Sequence, residues 1–378
     1  MKRLRSYRLC LVWTWIIPHV FGRGVCTGLT VLATVGEVQP SLAQTSFQNL
    51  QYRWYTDEEP CKDIRRSQTL GFDDVRDKAL FQNIAQIGAN SYRKMSPSNR
   101  QKFGDAFGGT IINGTLGHAV KINANQLIVP FHVVMKEIKD GNGNTLGFTK
   151  GASLMGLVVQ PKYESEKARL IRLPIDWDAI EDAQAMGPKS FDLDGDISLT
   201  DDWMILTFDE SVLDGMSELP LVPSDPKVFE QKLADADPKD LDPELQLTAL
   251  SYGKYMELDP RTGNWVESAQ PGPREIANVG IKKLGTGRGG FDQNTLITDA
   301  DAAGGESGRP YVGRKSAQET EGLRAIHIDG RCFPRGNCKD GLEFDLLRNS
   351  NGALLITDEI VEASKRALEA HRRKATRN

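Results

Sequence analysis

Histidine is scarce in this chain, with five in 378 residues, and cysteine is no commoner. One histidine and two cysteines fall within the first 43 residues, which leaves His118, His132, His327 and His371, and Cys61, Cys332 and Cys338. So few cysteines exclude a fold stapled by many disulfides. In an oxidising compartment Cys332 and Cys338, six positions apart, are spaced to close one small loop, with Cys61 left over. A strong charge is missing too: the formal net charge is −4 and the pI about 5.9, so no bulk basic field points to nucleic acid. There is no internal repeat, no low-complexity tract and no regular alternation of strand-like with helix-like runs, which excludes a parallel βαβ sheet.

What is present begins with a segment that has the marks of an export signal. Lys2, Arg3, Arg5 and Arg8 precede an apolar stretch, 9–21, and a second apolar stretch, 25–35, follows. Ser41-Leu42-Ala43 supplies small residues for cleavage before Gln44, so residues 1–43 are expected to leave a secreted or periplasmic protein. An uncleaved membrane anchor is the alternative, although Pro18 and the glycines at 22 and 24 interrupt the ~20 apolar residues that a span needs. Residues 44–104 are polar and read as an N-terminal extension or a propeptide. Val75, Ala79, Ile84 and Ile87 share a helical face there, behind Asp73-Asp74 and before Gly88.

From 105 the pattern changes to short β-like runs separated by glycine and aspartate: 110–113, 118–122, 126–134, 153–160, 168–173, 203–208, 245–252, 278–284, 295–298, 309–312, 323–328 and 353–357. A polar segment rich in proline and aspartate, about 214–243, divides them into two groups. The expected fold is therefore all-β, with two antiparallel barrels at about 105–213 and 244–356. A helix closes the chain behind Thr357 as N-cap, with Asp358 and Glu359 in its first turn and Arg372, Arg373 and Lys374 near its end, a charge order that suits the helix dipole. This β-rich domain ends near 370, and 371–378 is a basic tail.

Three stretches carry chemistry. Gly304-Gly305-Glu306-Ser307-Gly308 places a serine in a turn whose glycines allow crowded backbone and let successive N–H groups converge beside the serine oxygen, the layout acyl transfer requires. His132 ends the apolar run 127–134, and Asp202 directly precedes the apolar run 203–206, with Asp201 as the competing carboxylate. Each alone also suits a bland role: a surface loop, a satisfied core histidine, a strand-capping aspartate. Asp192-x-Asp194-x-Asp196 has the spacing of calcium ligands, but its glycine is misplaced and no glutamate ends the loop, so it reads as a charged surface loop.

In the order His132, Asp202, Ser307, with 70 and 105 residues between them, these blocks resemble the trypsin/chymotrypsin-like serine peptidases. The resemblance covers roughly 105–370 and implies two six-stranded barrels, hydrolysis of a polypeptide substrate through an acyl-enzyme, and no cofactor or metal. It implies Ser307 as nucleophile, His132 as base, Asp202 as the group orienting the base, and an oxyanion hole from the N–H groups of Gly305 and Ser307. The chain resembles more closely the glutamyl-endopeptidase-like, or V8-like, branch in two places. One is Arg324-Ala325-Ile326-His327-Ile328-Asp329-Gly330, where that branch carries Gly-Ile-His; the other is the asparagine-rich approach to Ile356-Thr357 and the final helix. That likeness implies that His327 lines the pocket for the substrate side chain before the cut bond and meets an acidic residue there. Ala302 stands where those enzymes use a hydroxyl residue. Two further departures matter. Arg309 replaces a small residue and is placed to clash with or recruit substrate, and Glu306 precedes the serine. Glu306 either pairs with a new N-terminus cut near Arg100 or Lys102 or is a solvated or locally bonded glutamate. Arg309 and the unusual Pro130-Phe131 before His132 also suit a second class of protein, one that keeps the barrels for binding or scaffolding without turnover. An esterase on another fold would use the same serine with a different base.

Overall fold

The structure is a computed structural model that describes residues 92–112, 115–141, 145–159, 168–187, 201–235, 242–253, 256–258, 260–261, 265–268, 272–277, 279, 281–284, 294–298, 300, 302, 305–332 and 349–376. The expected export signal, the helical face at 75–87, the aspartates at 192, 194 and 196, and the pairing of Cys61, Cys332 and Cys338 lie outside what is described.

Chain order begins with β1 (Arg93–Lys94) and α1 (Pro97–Phe103), then β2 (Phe107–Ile112), β3 (Thr115–Asn123), β4 (Gln126–Val129) and α2 (Phe131–Val134). A small hairpin of β5 (Lys136–Lys139) and β6 (Thr145–Thr149) leads to β7 (Leu154–Val159), β8 (Arg169–Pro174), α3 (Trp177–Asp182) and β9 (Met204–Thr207). The second half holds α4 (Pro226–Ala234), β10 (Thr248–Gly253), β11 (Met256–Leu258), β12 (Trp265–Glu267), β13 (Gly272–Ile276), β14 (Ile281–Leu284), β15 (Thr295–Thr298), β16 (Pro310–Gly313), β17 (Gly322–Cys332), β18 (Asn349–Leu355) and α5 (Asp358–Ala375).

The fold is all-β with a C-terminal helix, as expected. One sheet has the order β8-β7-β2-β3-β4-β9 and the other β12-β11-β1-β13-β10-β16-β17-β18-β15-β14, every neighbouring pair antiparallel except β1 with β11. The first has the six strands anticipated. The second has ten: seven run in the order β13-β10-β16-β17-β18-β15-β14, and β1 joins the β11–β12 hairpin on beyond β13. Central strands such as β2 and β4 are buried on both faces, which explains why Thr110 and Gln126 are their only polar side chains, while edge strand β8 turns Arg169 and Arg172 outward.

Two readings change. The run 126–134 is not one strand: Pro130 ends β4, because proline lacks the N–H that the ladder needs, and the next four residues wind into α2. His132 therefore sits on a single helical turn. Phe131 anchors that turn, fully buried and packed edge-on against Phe148 at 5.7 Å between ring centroids. The connecting segment at 214–243 also contains a helix, α4, started by Asp225, whose side chain accepts from the N–H groups of Lys227 and Val228, with Pro226 at its first position.

Helix α5 has the expected charge order and buries Ile360, Ala363, Ser364 and Ala367 along one stripe. Thr357 occupies the cap position but makes no side-chain capping bond. The helix docks on the first sheet. Gln126 of β4 donates to the Ser364 carbonyl at 2.8 Å and to Thr207 of β9 at 3.0 Å, and Ser364 Oγ donates to Gln126 Oε1 at 2.6 Å. A large apolar core joins the first sheet, the helix and one face of the second sheet; a separate core of Phe229, Leu247, Leu296, Tyr311 and Leu355 fills the far side of the second.

Candidate active site

Strand register brings the first two candidates together. β4 and β9 run antiparallel with Val129 opposite Met204, so the residues just after β4 and just before β9 emerge at the same end of the sheet. His132 and Asp202 lie in those two positions. Asp202 Oδ2 is 2.6 Å from His132 Nδ1, and Asp202 Oδ1 accepts the backbone N–H of His132 at 3.0 Å. The carboxylate is almost wholly buried, whereas the imidazole is about a third exposed, its side-chain accessibility being 32%. Both carboxylate oxygens thus hold one histidine, which fixes ring orientation and places the Nδ1 proton toward the acid. The other ring nitrogen, Nε2, is the one through which such a histidine can act as a base.

The serine comes from the second sheet. Arg309 N–H donates to the Glu306 carbonyl at 2.9 Å, closing a tight turn with Ser307 and Gly308 at its centre. Gly308 has φ +89°, which that turn demands of its third residue and which side-chain-bearing residues rarely adopt. Gly305 also has positive φ, +87°. The turn rests on the first sheet. His118 N–H donates to the Ser307 carbonyl at 2.6 Å, and a Cβ at Gly308 would overlap the His118 carbonyl and lie 2.7 Å from Pro130 Cδ. Gly117 fills the same seam: a Cβ there would meet Val133 at 2.8 Å and the Ser307 carbonyl at 3.0 Å. The backbone of Ser307 is therefore packed against the residues that flank His132.

His327 joins this group through the β16–β17 ladder. Its carbonyl accepts the Gly308 N–H at 2.6 Å and its N–H donates to the Arg309 carbonyl at 2.9 Å. The side chain is buried, and its Nδ1 has no hydrogen-bond partner among the described residues. Burial, then the charges of Arg309, His132 and His118, hold it well below the usual histidine range, so it is neutral. Ala302 is buried a few residues before Gly305.

The site holds one histidine that the sequence did not single out. His118, on β3, lies wholly buried beside the Gly305 backbone; burial and the nearby Arg274 lower its pKa to about 3. Only its short spacing from Gly117 and its place in an apolar strand were visible, and neither distinguishes it from a packed core residue. The two departures around the serine are also resolved. Arg309 is fully buried and paired with Glu306 at 2.6 Å, so its guanidinium is spent inside the protein and is not on the surface. Glu306 is buried and bonded by side chains of its own chain, so it is a locally bonded glutamate and not a solvated one.

A scan against protein-family models finds no match, and neither does a search of curated proteins. Among solved structures, a Glu endopeptidase in complex with MPD aligns with TM-score 0.43 and 11% identity, covering 73% of this chain and 96% of its own. An inactivated protease paralogue of the scabies mite aligns with TM-score 0.40 and 10% identity, covering 72% and 94%.

Proposed function

We propose that this protein is an exported serine endopeptidase, secreted or periplasmic, which cleaves polypeptides through an acyl-enzyme. The observation that carries the reading is the bond from His132 Nδ1 to the buried Asp202, made beside a glycine-rich turn that presents Ser307. In this reading Ser307 Oγ attacks the scissile carbonyl carbon while His132 Nε2 takes its proton. Asp202 holds the imidazole in the tautomer with the proton on Nδ1 and stabilises the imidazolium. The oxyanion that forms is met by the N–H groups of Gly305 and Ser307, each worth roughly 3–4 kcal/mol in the transition state. Collapse of the tetrahedral species expels the amine, which takes the proton from His132, and a water molecule repeats the sequence in reverse to release the acid. No metal or cofactor enters any of these steps.

The substrate side chain before the cut bond is acidic. The support is His327, a buried imidazole whose Nδ1 lacks a partner, next to the serine turn. A carboxylate beside it would favour the imidazolium, so binding draws one proton into the pocket. Ala302 adds no hydroxyl to this pocket, and the preference rests on His327.

Treating the full-length protein with a biotinylated fluorophosphonate and mapping the adduct by peptide mass spectrometry tests the reading. Adduct on Ser307 that vanishes in His132→Ala is the expected result. No adduct, with or without N-terminal trimming, would sink the peptidase and leave a binding protein built on the same sheets.

A further inference from the structure

The carboxylate beside Ser307 is gripped by four side chains drawn from four separate stretches of the chain. Glu306 Oε1 accepts from Ser251 Oγ of β10 at 2.8 Å and from the Arg274 guanidinium of β13. Its Oε2 accepts from Arg309 Nη1 at 2.6 Å and from the Tyr92 hydroxyl at 2.8 Å. The Arg274 guanidinium lies 3.9 Å above the Tyr92 ring, and Arg309 reaches on to the Tyr311 hydroxyl at 2.8 Å. All of these side chains are buried. Charged hydrogen bonds in so dry a setting are strong and geometrically strict, and a carboxylate stripped of one donor there is costly.

Tyr92 is the unexpected member, because it precedes the first sheet and lies in the stretch that reads from sequence as an extension or propeptide. It reaches Glu306 because β1 is laid directly beside β13, with Arg93 opposite Glu275 and Lys94 opposite Arg274, and Met95 N–H donates to the Pro273 carbonyl at 3.0 Å. The pairing strand and the phenol arrive together. Glu306 is in turn the first residue of the turn closed by Arg309 N–H, so whatever fixes its carboxylate fixes the backbone that carries Ser307 and follows Gly305.

We infer that Tyr92, Arg274 and Ser251 are positioning residues for the serine turn, and that residues from 92 onward act as a built-in activator of the site. The inference rests on the serine-peptidase reading. Its content is that the turn is set by folding alone, without an amino terminus released by cleavage. Cutting at Arg93, Lys94, Arg100 or Lys102 then detaches the Tyr92 donor and lowers activity instead of raising it.

The test compares the full-length wild type with Tyr92→Phe, which keeps the ring under Arg274 and removes one hydroxyl. Hydrogen exchange of the peptide spanning 305–312 is expected to quicken by about tenfold, with residues 126–134 unchanged. The rate of fluorophosphonate labelling falls by a similar factor, and with a peptide substrate kcat falls while KM stays within about twofold. Intact-mass measurement of the labelled wild type should find Tyr92 still attached. Unaltered exchange at 305–312 in Tyr92→Phe overturns the inference, as does label confined to chains that begin after Tyr92. If Tyr92→Phe does not fold, Ser251→Ala removes another hydroxyl donor to the same carboxylate and is read in the same way. A wild type that never takes the label defeats the peptidase reading, and the exchange comparison still decides whether Tyr92 holds the turn.

Discussion

The backbone N–H of His118 donates to the carbonyl of Ser307 at 2.6 Å, a bond from the middle strands of one sheet to the turn that opens β16 of the other. Through it the serine turn is located relative to β3, β4 and the helical turn that carries His132. The contact is main chain to main chain, so a side-chain replacement at 307, or any non-proline one at 118, leaves its donor and acceptor in place.

Asp202→Asn is expected to lower kcat by on the order of 10⁴-fold, because the amide presents an N–H to His132 and favours the wrong tautomer. The peptide backbone around residue 132 keeps its place, since the amide oxygen still accepts the His132 N–H. Steady-state kinetics alongside thermal unfolding is the check; an Asn variant within tenfold of wild type would remove Asp202 from the mechanism.

Gly308→Ala should destabilise the fold by at least about 2 kcal/mol and abolish labelling of Ser307. The new Cβ demands a left-handed backbone and overlaps the His118 carbonyl. Gly141→Ala is the matched control: nothing lies within 4 Å of its Cβ, and its stability should stay within about 0.5 kcal/mol of wild type. Urea unfolding of both variants decides, and equal behaviour of the two would contradict the described turn.

Stability should fall in acid through His118. Its folded pKa of about 3 lies below the ordinary 6.5, so the folded state refuses a proton that the unfolded chain accepts between those values. The stabilisation is complete above pH 6.5 and is lost as the pH drops toward 3, with a slope of up to about 1.4 kcal/mol per pH unit. Denaturant unfolding at pH 7, 6 and 5 should show a shallower slope for His118→Asn than for wild type, by nearly one proton. Parallel curves would mean that His118 is not buried as described.

A second buried pair predicts a purely structural effect. Arg324 Nη2 lies 2.5 Å from Glu244 Oε1, both side chains being buried, and Glu244 also accepts from Ser224 at 3.0 Å and pairs with Lys232 at 2.7 Å. Arg324→Met should cost about 3 kcal/mol by leaving the carboxylate undercompensated, while the labelling rate of the folded fraction stays unchanged. Circular dichroism melts with labelling at 20 °C would separate the two effects, and a slowed label would tie this pair to the site.

Much of the site was legible because its parts are marked locally. Glycines around a serine, an apolar run before a histidine and an aspartate opening an apolar strand are each written in a few adjacent residues, and β15 and the start of α5 fall where their sequence signals put them. What stayed hidden depends on distant partners. Arg274, Glu306 and Arg309 look like surface charges until the sheet brings Arg274 to Glu306 across 32 positions. His118 is indistinguishable from core until the serine turn lies on it. The strands β1 and β13 are short or contain proline and glycine, and they form because their neighbours supply the hydrogen bonds. Pro130 was in plain view; its effect was masked by the apolar residues on both sides, which suit a buried helical turn as well as a strand.

The last helix gives this protein an order of events during synthesis. The strands that present His132 and Asp202 leave the ribosome long before α5, yet Gln126, which ties to Thr207 at the other end of those strands, takes two further bonds from Ser364 of that helix. The serine turn likewise waits for β17 and β18 to form behind it. A nascent chain therefore carries an unclasped first sheet and no assembled site, and the site closes only when translation has delivered the helix. In the proposed peptidase, that delay keeps the growing chain, and the machinery around it, out of reach of the site.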